Sequence, residues 1–126
     1  MRVEIPMLPP RELNPNFHGH WAKKAKATRD FKTAAFYCAQ PHRGSVFRGS
    51  MFIKAEVSIT FVIRDGRGYK DTDNALSALK PAIDGCVAAG LIFNDDDQHL
   101  RYKLPIMYEI DKDRAPMTIL EFKEVK

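Results

Sequence analysis

Apolar and polar residues alternate most regularly between residues 52 and 63. Ile53, Ala55, Val57, Ile59, Phe61 and Ile63 share one phase, and Lys54, Glu56, Ser58 and Thr60 the other. A period of two predicts a strand with one buried face. Shorter strands are expected from Arg2 to Met7, closed by Pro9-Pro10, from His99 to about Met107, and from Met117 to Glu124. Trp21 to about Ala39 is rich in alanine and free of Gly and Pro, which predicts a helix that Gln40-Pro41 should end. A second helix is expected from about Asp73 to Ala89, with Leu76, Leu79, Ile83 and Val87 on its apolar face and Gly90 at the C-terminal cap. Polar, Gly- or Pro-containing loops fill 11–20, 41–50, 64–70 and 94–97, with a turn at 111–116. The order β-α-β-α-β-β implies an α/β (α+β) domain spanning 1–126, one mixed sheet with two helices.

Composition fits that picture. Apolar residues make up 44% and charged residues 29% of 126 positions, as in folded rather than disordered chains. The apolar runs are too short to cross a bilayer, so no membrane partner is expected. The opening MRVEIPMLPP, charged and then proline-rich, does not read as a secretory leader. Cys38 and Cys86 sit in apolar helical patterns without Cys or His at ligand spacing, so they read as buried free thiols. A reducing, cytoplasmic setting is expected.

Charge changes the picture more. The net charge is +4, but it is segregated. Residues 1–70 hold 13 Lys and Arg against 5 Asp and Glu; residues 71–97 hold one lysine against six aspartates; residues 98–126 hold six against five. A basic body attracts a polyanion. An acidic spot within it would repel that polyanion unless a cation lies between them.

The acids fall in two places. Asp71-Thr72-Asp73-Asn74 stands where a loop enters a helix, and in extended backbone positions two apart point the same way. One such acid could serve simply as a helix cap. Asp73, Ser77, Lys80 and Asp84 then fall on one helical stripe, which also permits a Lys80–Asp84 ion pair, and Pro81 could kink the axis beside Lys80. Asp95-Asp96-Asp97 follows the helix, where its dipole gives acids nothing. Hard cations such as Mg²⁺ take carboxylate oxygens, water and substrate phosphate. Zinc is not expected: His18, His20, His42 and His99 are scattered. No phosphate-binding glycine loop or nucleophile elbow occurs, and no organic cofactor is expected. Lys23, Lys24, Arg29, Arg64, Arg67 and Lys70 are the candidate DNA contacts.

The stretch KDTDNALSALKPAIDGCVAAGLIFNDDDQHLRY, with LNPNFHGHWAKKAKATRDF before it and DKDRAPMTILEF after it, resembles the RusA family of Holliday junction resolvases, especially its phage-encoded branch. The resemblance implies a RusA-like fold and a homodimeric endonuclease that uses Mg²⁺ or Mn²⁺ and resolves four-way DNA junctions by paired nicks. It assigns the metal-binding acids to Asp71 and Asp73 and the essential lysine to Lys80, with extra residues between Asn74 and Lys80. The third acid falls on Asp95 counted from Gly90 or on Asp96 counted back from Gln98, with Asp97 beside them. A phage or prophage setting in a bacterial cytoplasm rests on the same analogy. Two other readings stay open: a DNA-binding module of this fold that does not cut, and a nuclease for flaps or other branched DNA.

Overall fold

A computed structural model describes residues 1–43 and 51–125. Four strands and two helices form a mixed α+β fold: β1 (Arg2–Ile5), α1 (Trp21–Arg43), β2 (Ala55–Ile63), α2 (Thr72–Ala88), β3 (Leu100–Ile110) and β4 (Met117–Glu124), with short 3₁₀ turns at Arg11–Leu13 and Gly66–Gly68. The sheet order is β1-β4-β2-β3. β4 pairs antiparallel with β1 and β2, whereas β3 runs parallel to β2. Parallel neighbours need a crossover, and α2 supplies it.

The alternation of β2 sets one face of the sheet. Ala55, Val57, Ile59, Phe61 and Ile63 are buried in one core with Val3, Ile5, Leu120 and Phe122 from the neighbouring strands. Both helices close that core. α1 contributes Ala27, Phe31, Ala35 and Ala39, a run at intervals of four, and α2 contributes Ala75, Ala78, Leu79, Ala82, Ile83 and Cys86. Burial pushes the Cys86 thiol up to about 12. The helices meet where Gly85 lies against the backbone of Lys32.

Several boundaries differ from expectation. α1 continues through Pro41 to Arg43, so Gln40-Pro41 does not end it, just as Pro81 is carried inside α2. Residues 44–50 of the expected loop 41–50 lie outside the described residues. β2 begins at Ala55, and Ile53 is 58% exposed rather than in the core, because Phe52 has left the ladder to bridge Ile92. β3 runs on to Ile110, paired with Ile63. The stop of α2 follows the expected cap: Gly90 has φ 81°, its N–H donates to the Val87 carbonyl, and the Leu91 N–H donates to that of Cys86. Among the described residues, no helix is long and apolar enough to cross a membrane.

Candidate functional site

The basic loop after β2 leads straight into α2. Its last residue, Lys70, is fixed through the backbone: the Tyr108 hydroxyl accepts from the Lys70 N–H and donates to the Lys70 carbonyl, each at 3.2 Å. Tyr108 also packs on Phe61 and on exposed Tyr69, with ring centroids 5.6 and 4.7 Å away. An aromatic column thus runs from the core to the residue before Asp71. No local pattern could reveal this clamp, since the two partners are 38 residues apart.

Asp71 is the N-cap of α2. Its carbonyl accepts from the Ala75 N–H at 2.9 Å, but its carboxylate makes no capping bond. Asp73 lies in the first helical turn. Both side chains are exposed, and neither is hydrogen-bonded or ion-paired to another described residue. They stand at the positive end of the helix, which favours negative charge.

Further along α2, Lys80 donates to Asp84 at 2.8 Å and to Asp95. The i+4 partner was readable from sequence; the partner fifteen residues away was not. The Lys80 ammonium holds the Asp95 carboxyl below its usual range against partial desolvation, and Asp84, then Asp95, push Lys80 upward. Tyr102 is shifted upward by burial first and by the Asp95 charge second.

The acidic run divides its labour. Asp95 goes to Lys80. Asp96 builds the turn into β3: one oxygen accepts from the Gln98 and His99 N–H groups at 3.1 Å and meets His99 Nδ1 at 2.5 Å, and the other accepts from the Asn94 amide at 3.1 Å. Asp97 is exposed.

The expected convergence of both acidic stretches on one cation is not assembled. Among the described residues, no three His, Cys, Asp or Glu side chains form a group that could hold a metal ion. Lys80 lies seven positions along the helix from Asp73, roughly 10 Å of rise, and Asp95 is held at Lys80. Two uncommitted carboxylates, Asp71 and Asp73, do suit a hard cation, which takes one or two carboxylates and fills its shell with water and phosphate. Asp95 and Asp96, as placed, do not join them.

Of the basic candidates, Lys23, Lys24, Arg29 and Arg64 are exposed and unpaired among the described residues. Arg67 differs: its guanidinium binds Asp65 at 2.8 Å, and that contact holds the Asp65 carboxyl down at about 2. Lys70 is half-buried. His20 is also committed, its Nδ1 accepting from the Ala22 N–H at 3.1 Å. Comparison with family models, curated proteins and solved structures finds no match to this chain.

Proposed function

We propose that this protein is a divalent-cation-dependent endonuclease that resolves four-way DNA junctions, as the resemblance of its sequence to RusA-type resolvases implies, and that it works as a homodimer in DNA recombination and repair. One observation carries the reading. Asp71 and Asp73 present carboxylates with no other described partner, directly after a basic loop whose last residue is clamped by Tyr108. Asp71 and Asp73 would hold Mg²⁺ or Mn²⁺, which would supply Lewis acidity towards a phosphodiester. Arg64 draws the DNA backbone towards these acids. Lys80, its charge already met by Asp84 and Asp95, holds the 94–97 loop against α2 and keeps one N–H free for a phosphate. Paired nicks need two sites, which a second copy provides.

The test is a panel of end-labelled junction, flap and duplex DNA with Mg²⁺, Mn²⁺ or chelator. Metal-dependent cleavage of the junction is expected. Asp71→Asn and Asp73→Asn should each abolish cleavage while keeping junction binding, because each removes ligand charge. Lys80→Ala should lose more cleavage than binding. Normal cleavage by Asp71→Asn removes the metal assignment. The neutralised state of Lys80 favours a second reading, a module that binds branched DNA without cutting it; binding with no nicking under any metal would establish that one.

A further inference from the structure

The protein contains one tryptophan, and Trp21 is 75% exposed, an unusual place for the largest apolar side chain. The residues around it hold it there. Phe17 lays its ring over Gly19, where a Cβ would fall 2.0 Å from the end of that ring and displace it. His20 is fixed by its hydrogen bond from the Ala22 N–H, and its ring stacks on Trp21 with centroids 5.5 Å apart and planes 29° from parallel. An indole backed in this way presents its outer side to solvent in a set orientation.

Charge around the indole names the occupant. Offsets of 3, 7 and 11 place Lys24, Thr28 and Lys32 on the helical stripe that Trp21 begins. Lys24 and Lys32 are exposed and have no ion pair among the described residues. Asp30, the acid of this helix, lies on the other side and is engaged by Lys26 at 2.9 Å. A π surface at the head of an uncancelled cationic stripe suits a nucleobase with its phosphates rather than an apolar peptide or an acidic one.

We propose that Trp21, backed by His20, is a stacking platform for an unpaired nucleobase, with Lys24 and Lys32 holding the phosphates beside it. The platform would engage DNA where strands part. It rests on the nucleic-acid reading above and adds a base-recognition element to it.

The single tryptophan makes the test direct. Wild-type protein in chelator is titrated with a short labelled oligothymidylate, with an abasic oligonucleotide of equal length and with a four-way junction, following both label anisotropy and tryptophan emission. The expected result is tighter binding of oligothymidylate than of the abasic strand, with quenching by the former alone. Trp21→Leu should weaken oligothymidylate binding about 5- to 100-fold and leave abasic binding nearly unchanged. The indole is exposed, so the variant should melt with the wild type. Equal affinity for both strands, with emission unchanged at saturation, overturns the platform while the nucleic-acid reading stands. Equal loss by Trp21→Leu on both strands also overturns it. Failure of all three DNAs to bind in chelator and in Ca²⁺ alike removes both readings.

Discussion

Arg67 stands only two residues from Asp65, and their contact alters what the loop before α2 offers to a phosphate. The Asp65 carboxylate accepts from the Arg67 backbone N–H at 2.9 Å as well as from its guanidinium, so this arginine sits in the middle of a 3₁₀ turn with its charge already met. Arg64 is thereby the freer cation. The sign of the shift is testable. Asp65 titrates lower in the folded chain than its ordinary 3.8, so its contribution to stability is present above that value and is lost as pH falls through about 2. Carboxyl-carbon NMR should place its midpoint near the lower value, and Arg67→Ala should return it most of the way to the upper one. A midpoint that ignores Arg67 would free that arginine for DNA. Local patterning could have flagged this pair, as it flagged Lys80 with Asp84. It could not reveal that Asp95 closes on Lys80 or that Tyr108 grips Lys70, because those contacts depend on how β3 is laid beside β2.

Among the elements, α1 and α2 approach most closely at Gly85. A Cβ there would lie 2.4 Å from the Lys32 carbonyl oxygen and 3.0 Å from the Ala35 Cβ and the Phe36 nitrogen. Two of those atoms are backbone, so the relief has to come from moving one helix off the other. Gly85→Ala is therefore expected to destabilise the fold by about 1–3 kcal/mol, although alanine is the better helix former. Thermal melting measures it; an unchanged or raised midpoint would mean that the helices are not in contact there. The sequence marked Gly90 as a cap but was silent on Gly85, whose importance comes from a partner fifty residues earlier. The same distinction governs the strands. The alternation in β2 placed its core face correctly from Ala55 onward, because every second residue is buried by the same layer. It failed at Ile53, where the pattern continues but the ladder does not. Gln40-Pro41 misled in the opposite way, since the helix carries that proline and runs on to Arg43.

At the scale of the whole molecule, the segregation of charge matters more than its sum. Thirteen basic residues precede Asp71, and the six aspartates of residues 71–97 fall into separate environments. Asp84 and Asp95 share the single charge of Lys80, Asp96 is spent on a turn, Asp97 is exposed beyond it, and Asp71 and Asp73 remain as open negative charge at the end of the basic loop. Such a pair repels a DNA backbone unless a cation sits between them. Wild-type protein should therefore bind junction DNA more weakly in chelator than in Ca²⁺, used to hold the site charge without supporting cleavage. The Asp71→Asn/Asp73→Asn double variant should bind equally in both, and in chelator more tightly than wild type. Both proteins should lose affinity steeply with salt, since the remaining attraction is between lysines, arginines and phosphates. The comparison needs no cleavage, so it tests the cation site even in a protein that only binds. A wild-type affinity that is the same with and without the divalent ion, at matched ionic strength, would mean that Asp71 and Asp73 do not hold one.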